Sequence, residues 1–280
     1  MQTFKSIRTI INIQTFVVAS LAVVSTWLCG RYGWRANFPL TLIATAIVFP
    51  IVFSIGGAYK RREATLDRYG SLKAHGRAIY FAVRDWIEAP NPAAEEEVKR
   101  ILHDLLAACR ALFHASIGET RGREEDVYAA FSRLSRFIKR LREMGLASGE
   151  VSRCNQFLSK MIIAFESMKH VHQYRTPRTL RAYSKFFIYL LPVLYGPYFT
   201  HLAADYPGGL LYVMPVLFSV ILVSLDNIQD HLENPFDQLG EDDVAINAEK
   251  FVERLALDPG TRPTVPERER SRAGDMPVMS

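Results

Sequence analysis

TLIATAIVFPIVFSIGGAY, residues 41–59, is the stretch on which the reading of this chain turns. It carries no charge, and the uncharged run reaches back to Ala36. That makes about 24 residues, more than the roughly 20 a helix needs to cross the hydrocarbon of a bilayer. It then runs without a break into KRREATLDRYGSLKAHG, residues 60–76. Thr45, Phe49 and Phe53 recur every fourth residue and form one stripe on a helix. From spacing alone, such a stripe is either core packing or the lining of a conduit built by several copies of the chain. Pro50 has no N–H, so the carbonyl of Ala46 loses its helical donor and a bend is expected. In hydrocarbon that carbonyl needs another partner or a wet cavity, and an ordinary membrane-helix kink meets the same demand. Gly56-Gly57 either permits close helix packing or loosens the helix.

Outward from this stretch, long apolar blocks alternate with a highly charged middle. The 280 residues are 49% hydrophobic and carry a net charge of +5, so the mean hydropathy of +0.03 averages two unlike halves. The pI near 9.1 raises nucleic acid or anionic lipid as a partner. Nucleic acid is set aside, because the sequence has no zinc-finger spacing, RNA-binding signature or basic tail. Cys29, Cys109 and Cys154 are far apart and odd in number, which fits a reducing compartment rather than a disulfide scaffold.

Residues 9–30 form an earlier uncharged block, preceded by Lys5 and Arg8. A signal peptide has a shorter apolar core and a small-residue cleavage site, so a retained helical hairpin is expected. Trp27, Tyr32, Trp34 and Phe38 surround its connection, where an interfacial aromatic belt falls. Helical periodicity continues over 60–88, 93–115, 124–144 and 151–174. Its apolar faces are Ile101, Leu105, Leu106, Cys109 and Leu112, then Val127, Phe131, Leu134, Phe137, Ile138 and Leu141, then Phe157, Leu158, Met161, Ile162 and Phe165. The charges between them read as solvated faces. A third apolar block, 186–204, is broken by Pro192 and Pro197, and a fourth spans 209–225.

Roughly 24 of the 34 Lys and Arg fall between residues 59 and 185, an excess that marks a cytoplasmic region. The turn at Asp205 has no basic residue and is placed outside, so four spans put both termini inside a bacterial-type inner (plasma) membrane. Arg31 and Arg35 oppose this weakly. The Pro-, Gly- and Arg-rich tail, 258–280, reads as disordered.

Three stretches in order resemble the bestrophin family, in particular its bacterial and plant-organelle branch. FSIGGAYKRREATLDRYG, residues 53–70, is similar to the family's pore-helix end, a Phe followed by Ala-Tyr-x-Arg, with Tyr59 and Arg61 at the motif positions. YRTPRTLRAYSKFFIYLLPVLYGP, residues 174–197, resembles the Arg-Thr-Pro entry to the third membrane helix, with Pro177 as its proline. HLENPFDQLGEDDVAI, residues 231–246, resembles the Asn-Pro-Phe that precedes an acidic run, here Asn234, Pro235 and Phe236. The resemblance covers most of residues 5–255. It departs where Arg62 and Glu63 replace paired tryptophans and Gly56-Gly57 replaces a paired Asn. Gln238 and Leu239 are also inserted before Glu241-Asp242-Asp243.

The resemblance implies an all-α membrane protein with four transmembrane helices per protomer and a helical cytoplasmic region, assembled as a homopentamer. It also implies passive flow of chloride or related anions through a central pore, with membrane lipids and other copies of the chain as partners and no cofactor. Aligned this way, Thr45, Phe49 and Phe53 fall on the family's narrow neck, beside Pro50. The implied organisation is a membrane hairpin with the pore helix (1–59), a cytoplasmic helical region (60–185), a second hairpin with a cytoplasmic segment (186–257) and the tail (258–280). The two-residue insertion displaces the acidic run that forms a calcium clasp in animal members. Asp242 and Asp243 therefore read as a solvated turn or helix N-terminus rather than metal ligands.

Other readings compete. A membrane-anchored helical scaffold or sensor without a pore would share the same spans. An enzyme resembling membrane prenyltransferases would use Asp226-x-x-x-Asp230 to hold magnesium, yet such enzymes need two acidic motifs and more membrane helices. His170 and His172, two apart, lie on different faces of a helix and make a poor metal pair. The residues present no nucleophile constellation and no Gly-rich phosphate loop, which points away from catalysis.

Overall fold

Asn12 opens the first helix. Its side-chain oxygen accepts from the Thr15 amide at 3.2 Å while the Thr15 hydroxyl accepts from the Asn12 amide at 3.3 Å, a reciprocal cap that satisfies two donors a helix start leaves free. The protein is seen in a computed structural model that describes residues 11–37, 40–89, 91–115, 120–174, 178–202, 212–233, 235–236 and 244–255. Lys5, Arg8, Phe38, Pro177, the Asp205 turn, Asn234, Gln238, Leu239, Asp242, Asp243 and the tail lie outside the described residues.

Among the described residues all regular structure is helical. The helices are α1 (Ile13–Tyr32), α2 (Leu40–Asp85), α3 (Pro92–Phe113), α4 (Thr120–Arg140), α5 (Ser148–Gln173), α6 (Arg178–Leu194), α7 (Gly196–Leu202), α8 (Val213–Glu233) and α9 (Ala248–Leu255). α1 and α8 are long and apolar enough to cross a membrane by length and composition. α2 runs 46 residues with Pro50 inside it, so the apolar stretch and the charged segment after it are one helix. α1 stops at Gly33, whose left-handed φ of +71° lets its N–H reach back to the last turn. Gly145, at φ +91°, turns the chain between α4 and α5.

The chain divides into two compact units that interleave along the sequence. The first takes Met1–Leu72, Ala111–Arg121 and Ser159–Ala245; the second takes Lys73–Arg110, Gly122–Leu158 and Ile246–Ser280. In the first unit α1 packs on α6, α7 and α8. Its core joins Val18 of α1, Ile47 and Ile51 of α2, Ile188 and Leu191 of α6, Phe199 of α7 and Leu222 of α8. A hydrogen bond from the Asn12 amide group to Asn227 Oδ1, 2.9 Å, ties the cap of α1 to α8.

The third apolar block is two helices. The break falls at Tyr195, between Pro192 and Pro197. Pro197 has no N–H to offer the carbonyl four residues back, Val193. That carbonyl instead accepts from Ser25 of α1 at 2.7 Å. Thr200 Oγ1 shares its single hydrogen between the carbonyls of Gly196, 2.9 Å, and Thr26, 3.2 Å. Small residues make this contact possible: a Cβ on Gly196 would stand 2.5 Å from Ser25 Oγ and 3.2 Å from Cys29 Sγ.

In the second unit the amphipathic faces read from the sequence are the core. Ile101, Leu105, Leu106 and Cys109 of α3 and Val127, Phe131, Leu134, Phe137 and Ile138 of α4 are all buried. Along α5, which belongs to the second unit up to Leu158 and to the first from Ser159, the expected face is narrower than it reads. Leu158, Met161 and Phe165 are buried, whereas Phe157 and Ile162 sit at its edge, and Phe157 stacks on His75 with ring centroids 5.9 Å apart.

Candidate functional site

The candidate site is one face of α2. At 100° per residue, Thr45, Phe49, Val52, Phe53 and Gly56 fall within an arc of about 100°. All five are exposed; Phe49 shows 60% of its surface and Phe53 64%. The opposite arc holds Ile47, Ile51, Ser54 and Ala58, all buried, with Ile47 at 2% and Ile51 at 0% exposure. One side of the helix is therefore committed to the core of the chain and the other is left open. Core packing within the chain does not account for the stripe.

Phe49 and Phe53 touch each other. Their centroids are 4.6 Å apart with planes at 76°, so the positive edge of one ring meets the face of the other, a contact worth about 0.5–1.5 kcal/mol. Pro50 lies between them, half-buried. Neither glycine of the pair is forced by packing within the chain: a Cβ on Gly56 meets nothing within 4 Å, and one on Gly57 meets only Arg61 Nη1 at 3.7 Å.

The same face continues past the stretch singled out in the sequence. Lys60, Glu63 and Asp67 fall in the arc and are exposed. Glu63 pairs with Arg62 at 2.7 Å, and Asp67 stands 3.9 Å from Arg68. Extending the 3.6-residue period beyond Tyr59 finds them; the change from apolar to charged composition hid the continuity. Tyr59 itself is exposed and Arg61 half-buried.

The remaining motif residues lie elsewhere. Phe236 is fully buried and stacks on Phe113, with centroids 4.3 Å apart and planes at 6°. The buried His172 ring meets both, 5.5 Å from Phe113 and 5.8 Å from Phe236. Pro235 is buried, and its carbonyl accepts from the Val244 amide at 2.7 Å. Pro235 and Phe236 thus anchor the segment after α8 and stand apart from the α2 face. His172 belongs to this aromatic cluster, while His170 faces Tyr174 at 4.6 Å.

Asp230 is held by Lys185 at 3.0 Å and Arg181 at 3.1 Å, both from α6. These ion pairs fasten α6 to α8 and occupy the carboxylate that a magnesium motif would need. Among the described residues no group of three or more His, Cys, Asp or Glu is placed to hold a metal ion.

No family model matches the chain, and no curated protein matches it. Solved structures do. A crystal structure of a membrane protein gives a TM-score of 0.70 at 17% identity, covering 87% of this chain and 98% of its own. A variant of a bacterial bestrophin homologue from Klebsiella pneumoniae gives 0.69 at 18% identity, covering 86% and 97%. Another structure of a bacterial bestrophin homologue from that organism gives 0.68 at 17%, covering 91% and 97%. The fold is bestrophin-like. At this identity the likeness speaks to the fold alone.

Proposed function

We propose that the chain is one protomer of a homopentameric membrane channel that passes chloride or similar small anions down their gradient. In this reading the protein spans the inner (plasma) membrane four times with both termini cytoplasmic. Thr45, Phe49 and Phe53 line the narrow neck of a central pore. The observation that carries it is the division of α2 into a buried Ile47–Ile51 face and an exposed aromatic face, within a bestrophin-like fold. One protomer supplies one lining stripe, and cyclic symmetry closes a ring of such stripes into a conduit.

The chemistry follows from the side chains. Phenyl edges carry partial positive charge and stabilise a partly dehydrated anion without the fixed charge that would trap it. Successive apolar rings resist wetting, so small movements of the helix open or close the path. Phe49 and Phe53, four residues apart, are spaced roughly 6 Å along the helix.

Two measurements test the reading together. The mass of the detergent-solubilised particle is expected near five protomers; a monomer or dimer supports the scaffold instead. Purified protein in liposomes, with Cl⁻ and Na⁺ gradients set separately, is expected to carry current that follows the Cl⁻ gradient. Current that follows Na⁺ overturns the anion assignment, and absence of current overturns the channel.

A further inference from the structure

A second feature lies within the second compact unit and has no part in the α2 face. A cavity of about 630 Å³ opens between α3 and α4, within the 300–1,000 Å³ typical of small-molecule sites. Five cationic side chains line it: Arg100 from α3, and Arg133, Arg136, Lys139 and Arg140 from α4. Three carboxylates, Glu97, Asp104 and Glu143, share the lining.

The pairing among these groups is uneven. Arg140 is engaged by Glu97 at 2.5 Å, and Arg133 reaches Asp104 only at 3.9 Å. Arg100, Arg136 and Lys139 make no ion pair with any described residue, and all three are exposed. The spacing 133, 136, 139–140 sets the α4 cations on one helical face. Like charges gathered in this way repel one another, and an anion bound among them relieves that repulsion. A chloride is a single spherical acceptor, and a carboxylate offers two oxygens in one plane, enough for one arginine fork. A phosphate group presents several strong acceptors, and the planar fork of arginine matches its geometry with paired hydrogen bonds.

We infer that this cavity binds a phosphate-bearing ligand, with Arg100, Arg136 and Lys139 contacting the phosphate. The lining also includes Ile101, which is itself largely buried. The source of the phosphate is either a soluble phosphorylated molecule or a lipid headgroup, and the chemistry of the cavity is the same for both. The inference does not depend on ion conduction by the chain.

The test uses the full chain in detergent. Pyrophosphate is titrated calorimetrically at low and at physiological salt, and phosphatidylglycerol is compared with phosphatidylcholine by titration in mixed micelles of the same detergent. The double variant Arg136→Ser, Lys139→Ser is expected to weaken binding by about tenfold or more, since hydrogen bonds to charged groups are the strong ones. Arg121→Ser, Arg123→Ser removes the same charge from the same helix outside the cavity and is expected to change affinity less than about twofold, with exposed charges largely screened. Glu143→Lys adds a cation to the lining and is expected to tighten binding, which keeps the inference open to refutation even where a cation-to-Ser variant folds poorly. Binding of pyrophosphate identifies a soluble source; binding only of phosphatidylglycerol identifies a headgroup. Equal loss in the two double variants, weaker binding by Glu143→Lys, or binding of neither probe by the unaltered chain overturns the inference.

Discussion

The hydroxyl of Ser25 donates to the carbonyl of Val193 at 2.7 Å, taking the place of the amide that Pro197 lacks. Gly196, just before Pro197, stands so near that a Cβ there would meet Ser25 Oγ at 2.5 Å. Gly196→Ala is therefore expected to destabilise the protein by about 1–3 kcal/mol through overpacking. Ser25→Ala should cost about 1 kcal/mol by unpairing the Val193 carbonyl. The two costs should not add, because Ser25→Ala removes the atom nearest the new methyl. Thermal unfolding in detergent measures all three variants, and strict additivity would count against the close approach.

Phe236 is predicted to be a packing anchor. It is fully enclosed against Phe113 and His172, so Phe236→Ala should cost about 3 kcal/mol and Phe236→Leu distinctly less. A Phe236→Ala protein that melts with the unaltered chain would show that the ring is dispensable to packing.

The thiols of Cys109 and Cys154 are buried, and burial pushes them up to about 12 and about 11 respectively. The thiolate is the nucleophile, so at pH 8 neither should react with a maleimide in the folded protein. Both should react after denaturation. Intact mass after brief labelling gives the answer, and rapid modification of Cys109 in the folded chain would contradict its burial.

Glu249 in the first turn of α9 accepts from both Nη atoms of Arg110, at 2.9 and 2.8 Å. This pairing holds its carboxyl down at about 2, below the ordinary 4.5. A depressed carboxylate stabilises above its unfolded value and loses that contribution as pH falls toward its folded value. Amide exchange over residues 248–255 should accordingly accelerate as pH drops from about 4.5 to about 2, beyond the intrinsic trend. Glu249→Gln should remove that acid-side component, and an unchanged profile would mean that the pair does not hold α9.

Much of the architecture was legible because helical periodicity survives in a single sequence. The faces through Ile101–Cys109 and Val127–Ile138 are buried as their spacing requires, and Pro192 and Pro197 announced the break that falls at Tyr195. The interleaving of the two compact units was not legible, since it rests on contacts between distant segments. Ser25 and Val193 lie 168 residues apart, and nothing in either stretch names the other. The cationic cavity was hidden for a related reason. Each arginine of α4 reads by itself as a solvated face, and only its placement against Arg100 of α3 makes a site. The stripe on α2 was legible as a stripe, and its exposure needed coordinates.

The neck assignment is tested most directly by chloride flux through purified, liposome-reconstituted protein carrying substitutions on the two faces of α2. Phe49→Ala and Phe53→Ala remove apolar rings from the exposed face, so they should raise flux several-fold and cost less stability than a substitution on the buried face. Ile51→Ala opens a cavity on the buried face, where it should lower stability by about 2 kcal/mol and leave flux per folded channel unchanged. Flux that is indifferent to Phe49→Ala and Phe53→Ala in a folded oligomer, but raised by Ile47→Ala or Ile51→Ala, would contradict the account.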